Sequence, residues 1–339
     1  MTPEPEAREP WDVIVIGAGP CGIGVGAAAA TAGVRCLLID KGCVASSIGR
    51  YPTFMTFFST AEKLEVGGVP FLPIGDKPTR REALRYYQRL VPHFGIDVRQ
   101  YESVVAVEQR AAGFIVRSRA LSGEQHLRAA SNVVVATGYF DHPNLIGVPG
   151  EQLPKVRHDY REGHDFFQQQ VVVVGGGNSA VDAALELHRW GARVTIVHFL
   201  PQLDPNIKPW VRPDIEGRLR DGSIAAHWSS RVVEIRPESV VVRSKDGAIE
   251  ELSNDFVLAM TGYTPDPTLL RSLGVRIDPV TGVPDHDADT METNVPGVFV
   301  AGVVVAGNDA NNVFIENGRD HGPRIIRRVA ARQAADGDV

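Results

Sequence analysis

Residues 13–40 constrain the chain more than any other stretch. Val13 to Ile16 is a short, β-branched apolar run that stops at Gly17-Ala18-Gly19-Pro20-Cys21-Gly22. Ile23 to Ala32 then reads as a helix of small residues, and Arg35 to Ile39 as a second strand. The order strand, glycine turn, helix, strand is the context in which G-x-G-x-x-G becomes a dinucleotide fingerprint. Its glycines permit a tight turn and close approach of backbone to a pyrophosphate, whose charge the helix N-terminus stabilises. Asp40 closes the second strand, near the offset of about 20 residues at which an acid bonds a ribose hydroxyl.

A second unit repeats this order. Val171 to Val174 leads into Gly175-Gly176-Gly177-Asn178-Ser179-Ala180, a helix over Ala180 to Trp190 follows, and Arg193 to Val197 is its second strand. Two dinucleotides are therefore expected. A spacing of 23 positions takes Gly17 to Asp40 but takes Gly175 to His198. An acid there would favour a free 2′-hydroxyl, as in NAD, so its absence leans toward NADPH, with His198, Lys208 and Arg212 as available cations.

At 339 residues, a rule of roughly 150 residues per domain gives about two domains. Strand-rich stretches, Ser103 to Val107 and Gly113 to Arg117, precede Asn132 to Ala136, which runs into Thr137-Gly138, and Phe256 to Met260 likewise runs into Thr261-Gly262. Prolines and glycines between Pro143 and Pro154 and from Gly262 to Pro267 mark linkers. The fold class is α/β with two Rossmann-like dinucleotide-binding domains, one inserted into the other. A discontinuous domain spans 12–146 and 263–328, the inserted one 147–262, and 1–11 and 334–339 are expected to be disordered tails.

The formal net charge of -6 argues against a nucleic-acid binder working by bulk charge. Val13 to Val34 lacks charged residues and imitates a membrane span, yet its glycines and the acidic segment before it favour a buried strand and helix, with neither export nor insertion. Three cysteines cannot form a disulfide framework, and a reducing, cytoplasmic setting is the simpler reading. Cys36 and Cys43 have six residues between them, so no Cys-x-x-Cys pair exists. Cys36 reads as a core thiol and Cys43 as a loop residue. Cys21 stands inside the first turn, at a helix N-terminus whose partial positive charge favours a thiolate. Asp285, Asp287 and Asp289 imitate a calcium loop, but Thr290 and Pro296 stand where it needs glycine and glutamate, so no metal is assigned. His321 is a candidate proton donor to a leaving thiolate, with a structural role as the alternative. Phe54, Phe57 and Phe58 suit either a cavity or the core.

Ala136-Thr137-Gly138, Thr261-Gly262 and Pro296-Gly297-Val298-Phe299-Val300-Ala301-Gly302 resemble strand ends of the two-dinucleotide flavoprotein disulfide reductase superfamily. The resemblance implies FAD in the first fold and NAD(P)H in the inserted one. Val303 stands where many members have an acid that holds the ribityl chain, and Asn308 or Asp309 is the expected substitute, one of them also capping a helix that begins near Ala310. More narrowly, Gly19-Pro20-Cys21-Gly22, Asp40-Lys41-Gly42, Tyr51-Pro52-Thr53, Gly68-Val69-Pro70-Phe71, Gly177-Asn178-Ser179-Ala180, Ile207-Lys208-Pro209-Trp210 and Phe314-Ile315-Glu316-Asn317-Gly318 together resemble the bacillithiol disulfide reductase family.

That resemblance implies an FAD- and NADPH-dependent enzyme that reduces a small-molecule disulfide, bacillithiol disulfide, with Cys21 as its single active cysteine. It places Gly17, Gly19, Pro20, Gly22, Asp40, Lys41, Ala136, Thr137, Gly138, Gly302 and Asn308 on FAD. Gly175, Gly177, Asn178, Ser179, Ala180, His198 and Lys208 fall on NADPH. The family's aromatic-arginine pair is His198-Phe199 here. No nucleic acid or membrane partner is implied, and a homo-oligomer is expected by resemblance alone. The alternative is a reductase or monooxygenase of the same architecture that passes electrons to oxygen, a quinone or ferredoxin. A further alternative is a redox-sensing flavin module without efficient turnover.

Overall fold

The computed structural model describes residues 9–309 and 312–337. It separates into two compact units, the first holding the described residues up to 49, 56–142 and those from 263 on, the second holding 50–55 and 143–262.

In the first unit, β1 (Trp11–Ile16), α1 (Pro20–Ala32) and β2 (Cys36–Ile39) form the opening strand-helix-strand. A one-turn helix α2 (Ser46–Gly49) and then α3 (Arg80–Phe94) lead to β3 (Asp97–Arg99). Thr79 and Glu82 close a full capping box at the start of α3, satisfying amide groups that would otherwise lack partners. The strands β4 (Glu102–Arg110), β5 (Gly113–Ala120) and β6 (Gln125–Val135) make an antiparallel meander. β6 changes partner along its length. Gln125 to Ala130, where polar and apolar residues mix, pairs with β5, while the apolar run Val133 to Val135 pairs in parallel with β1. The sheet order is β3-β2-β1-β6-β5-β4.

The second unit is built on a parallel sheet ordered β10-β9-β8-β14-β7. Its elements in chain order are β7 (Val156–Arg157), β8 (Gln170–Val174), α4 (Asn178–Arg189), β9 (Arg193–Val197), α5 (Arg212–Asp221) and β10 (Ala225–His227). An antiparallel meander of β11 (Ser230–Ile235), β12 (Ser239–Ser244) and β13 (Ile249–Ser253) precedes β14 (Phe256–Ala259). A sheet covered on both faces has strands apolar throughout. In β8, Val171 and Val173 join the core under α4 and α5, while Val172 joins Val197, Val257 and the meander residues Val232, Val240 and Val242.

The returning chain completes the first unit with α6 (Thr268–Ser272), β15 (Val298–Val300) beside β6, α7 (Ile315–Gly318) and α8 (His321–Gly337). A Cβ on Gly322 would lie 2.4 Å from the Gly24 carbonyl oxygen, so α8 lies directly against α1.

Three expectations change. β1 begins at Trp11, and α8 runs through 334–337, residues assigned to a tail by composition. Residues 1–8 and 338–339 lie outside the described residues. Segment 50–55 groups with the second unit because Thr53 donates its backbone N–H to the Arg161 carbonyl at 2.9 Å and Phe54 meets Tyr160 edge-on. Among the phenylalanines, Phe57 is buried while Phe54 and Phe58 are exposed. Among the described residues no helix is long and apolar enough to cross a membrane, and Val13 to Val34 is divided between β1 and α1.

Candidate cofactor and redox site

The first turn is shaped by contacts only glycine allows. Gly17 has φ 114°, and a Cβ there would stand 2.3 Å from the Ala136 carbonyl oxygen. A Cβ on Gly22 would lie 2.0 Å from the Gly17 carbonyl oxygen. Gly19 is different: nothing within 4 Å would meet a Cβ there, which leaves room over the turn. Pro20 occupies the first helical position, and α1 starts without a side-chain cap, unlike α3. Room, an uncapped helix and a tight turn together fit a pyrophosphate. Asp40 accepts hydrogen bonds from Ala18 N and Gly42 N, each at 2.7 Å. A carboxylate has about four acceptor positions, so ribose hydroxyls still find lone pairs there.

The strand ends expected beside this turn are in place. Ala136 is buried and donates its N–H to the Ile16 carbonyl at 2.9 Å, Thr137 is exposed, and Gly138 has φ 70°. Lys41 pairs with Asp141 at 2.9 Å. Asn308 donates its backbone N–H to Thr281 O at 2.7 Å and its side-chain amide to Val280 O at 3.2 Å, so it ties down the 278–283 loop. The helix expected near Ala310 falls on 310 and 311, outside the described residues.

Cys21 faces the late chain. A Cβ on Gly302 would lie 3.0 Å from its sulfur, and one on Gly318 2.8 Å. The helix N-terminus does not win here: burial, and secondly the Glu316 carboxylate, push the Cys21 thiol up to about 12. The thiolate expected at rest is thus replaced by a thiol, because desolvation disfavours the charged form more than the helix dipole favours it. Glu316 itself accepts a hydrogen bond from Ser59. All three cysteines are free, and Cys36 is likewise pushed up to about 12 by burial. His321 accepts the Gly302 N–H at 3.1 Å through Nδ1, and burial holds it down at about 4. With its Nδ1 accepting, the ring anchors Gly302 in its neutral form, in keeping with the structural role.

The second turn repeats the first. Gly175 has φ 135°, and a Cβ there would stand 2.5 Å from the Met260 carbonyl oxygen, as Gly17 meets Ala136. Helix α4 begins at Asn178, with Gly177 at the N-cap and so no side-chain cap, Ser179 is exposed and Ala180 buried. Asn178 accepts from Lys208 N at 2.8 Å and donates to Asn206 O at 2.9 Å, holding the 204–208 loop against the turn. Two of the three cations available for a 2′-phosphate are committed elsewhere. Lys208 is bonded to Asp182 at 2.5 Å. His198 is buried beneath Gly176, where a Cβ would lie 2.5 Å from its ring, and Nε2 lies 3.2 Å from Asp204 Oδ1. Desolvation lowers the His198 pKa below the ordinary histidine value, leaving it neutral at pH 7.

Motif reading passed over two residues. Glu316 stood in a recognised block but had no role assigned to it, and Arg231, on a strand of the meander, belongs to no motif.

Two such turns, each opening an uncapped helix, define a two-dinucleotide flavoprotein oxidoreductase using FAD and NADPH. Residues 14–302 match the pyridine nucleotide-disulphide oxidoreductase family. The chain belongs to that family, in the branch of bacilliredoxin and bacillithiol disulfide reductases. It is 46% identical to bacilliredoxin reductase Bdr of Bacillus subtilis strain 168, over 94% of this chain and 98% of that protein. The solved bacillithiol disulfide reductase Bdr (YpdA) from Bacillus cereus is 44% identical, with a TM-score of 0.93 over 96% of this chain and 100% of that one. The Staphylococcus aureus structure of the same name is 37% identical, with a TM-score of 0.90 over 96% and 99%.

Proposed function

We propose that the chain reduces a low-molecular-weight thiol disulfide, bacillithiol disulfide, with electrons from NADPH and with Cys21 as its single redox cysteine. The observation that carries the reading is the position of Cys21: it stands in a dinucleotide turn with its sulfur enclosed by Gly302 and Gly318. The names of the relatives support the substrate class.

Gly17, Gly19, Pro20, Gly22, Asp40, Lys41, Ala136, Thr137, Gly138, Gly302 and Asn308 would hold FAD. Gly175, Gly177, Asn178, Ser179, Ala180, His198 and Lys208 would hold NADPH, His198 and Lys208 by shaping the turn. The chemistry supplied at these turns, when FAD and NADPH are bound, would be two-electron reduction of an S–S bond. The residues of the chain manage the sulfur and the proton. Cys21 is a thiol at rest, so its attack on the substrate disulfide requires transfer of its proton, and Glu316 is the carboxylate placed to take it. The Cys21 sulfur bonds to one substrate sulfur and the other leaves and takes up the proton, and two electrons with two further protons would then split the mixed disulfide, freeing the second substrate thiol and returning Cys21 to its thiol. The three free cysteines suit a reducing compartment, the cytoplasm, and family likeness favours a homo-oligomer.

The raised Cys21 pKa favours a second reading, in which the thiol only fills space and electrons pass to oxygen, a quinone or ferredoxin. Anaerobic NADPH oxidation with and without bacillithiol disulfide separates the two. Disulfide-dependent oxidation that Cys21→Ala abolishes supports the single-cysteine reaction. Oxidation indifferent to both the disulfide and Cys21 overturns it.

A further inference from the structure

In a dinucleotide fold, the position after the second strand faces the adenosine ribose, where an acid binds a free 2′-hydroxyl and a cation a 2′-phosphate. In the second unit that position is held by His198 and Phe199. Neither supplies charge, since His198 is buried and neutral. Lys208 is bonded to Asp182, and Arg212 to the carbonyls of Asp204 and Pro205 and to Glu216. The nearby carboxylate, Asp204, is held against His198.

A cation reaches the position from another strand. Beyond β9 the backbone stays laced to the segment before β11: His198 N donates to His227 O at 3.0 Å, Ser230 N to His198 O at 2.9 Å and Ser229 N to Leu200 O at 2.9 Å. This lacing sets Arg231 beside Phe199, with its guanidinium 4.7 Å from the ring centroid. Phe199 is 52% exposed, so its ring is accessible at the surface. Directly across the strand pair from Arg231 stands Arg243, and both are exposed. Like charges directly opposite destabilise an antiparallel pair. Among the described residues neither guanidinium has an ion-pair partner to offset that repulsion. Two facing cations, one fixed on an aromatic ring, form an anion subsite with its counter-charge missing.

We propose that Arg231, with Arg243 across the strand pair, binds the 2′-phosphate of NADPH and so takes the place of the cation missing after β9. The inference rests on the NADPH reading above. Stacking fixes the guanidinium plane, so a bidentate bond to phosphate costs little further ordering.

Calorimetric binding of 2′,5′-ADP and 5′-AMP to the purified holoprotein tests this without turnover. The parent protein is expected to bind 2′,5′-ADP more tightly. Arg231→Gln should weaken 2′,5′-ADP on the order of tenfold while leaving 5′-AMP within about twofold. Arg231→Lys should recover part of the loss, Arg231→Glu should do worse than Gln, and Arg243→Gln should lose less than Arg231→Gln. All of these side chains are exposed, and an unchanged bound-flavin spectrum checks that each variant is folded. If the parent discriminates and Arg231→Gln still binds 2′,5′-ADP within about twofold of it, the assignment of Arg231 is wrong. If the parent binds both nucleotides alike, the NADPH reading fails and takes this proposal with it.

Discussion

The sulfur of Cys21 lies directly over Gly318, where a Cβ would come within 2.8 Å of it. The two positions therefore share one volume. Gly318→Ala should overpack the site and destabilise the protein by about 1–3 kcal/mol, the usual cost of an extra methyl in a filled core. Adding Cys21→Ala removes the sulfur that the methyl meets, so the double variant should recover most of that loss. Urea unfolding of both single variants and the double variant measures the coupling. Strict additivity would show that sulfur and methyl do not compete.

The thiols of Cys21 and Cys36 are both pushed up to about 12 by burial, against an ordinary value of 9.0. A raised thiol pKa means that the folded protein keeps a proton which the unfolded chain releases. The stabilisation is complete below the unfolded pKa and disappears as pH rises from about 9 toward 12. Melting temperature should fall over that window, less steeply in Cys21→Ala and Cys36→Ala. Iodoacetamide labelling of Cys21, followed by mass spectrometry, should still be accelerating above about pH 11, where a thiol with the ordinary value of 9.0 has levelled off. A labelling rate already at its plateau near neutral pH would contradict the raised thiol pKa.

Gly176 and His198 offer a way to disturb the second turn alone. A Cβ on Gly176 would lie 2.5 Å from the His198 ring, so Gly176→Ala must displace either the turn or the ring. We expect nucleotide affinity, read by titration with NADPH, to fall by about tenfold, in keeping with a misplaced binding element. The bound flavin should retain its absorbance, since Gly176 lies in the second unit and the first turn lies in the other. Loss of flavin together with NADPH affinity would contradict the separate assignment of the two turns.

What was legible in the sequence is what local sterics enforce. Gly17 and Gly175 are readable because a positive φ and a carbonyl oxygen at 2.3 and 2.5 Å from a Cβ leave no other residue possible, and each marks a strand-turn-helix in its own right. The Thr137-Gly138 and Thr261-Gly262 strand ends were readable for the same reason: they follow apolar runs that could only be buried strands. The charge state of a side chain was not legible, because it depends on neighbours distant along the chain. His198 looked like an available cation until Gly176 closed over it, and Cys21 looked like a thiolate until Gly302, Gly318 and Glu316 enclosed it. Arg231 was invisible for a related reason. Its approach to Phe199 is made by backbone bonds from 198–200 to 227–230, which no motif encodes.

His321 links acid stability to the redox site. Its Nδ1 accepts the Gly302 N–H at 3.1 Å, which requires that nitrogen to be unprotonated, and burial holds the ring at about 4 against an ordinary 6.5. Arg324 and His286 act in the same direction. Because the folded pKa is depressed, the contribution is complete above 6.5 and is lost as pH falls through about 4, where the unfolded chain binds a proton that the folded one resists. The full effect is about 3 kcal/mol at pH values below both. His321→Gln keeps an acceptor for Gly302 and cannot titrate, so its melting temperature should fall less between pH 6.5 and 4 than that of the parent. Gly302 also borders the Cys21 sulfur, so acidification should release flavin from the parent, seen as rising fluorescence, before the second unit unfolds. Parallel pH profiles for parent and variant would show that His321 does not govern the acid limb, and flavin release that coincides with global unfolding would separate Gly302 from it.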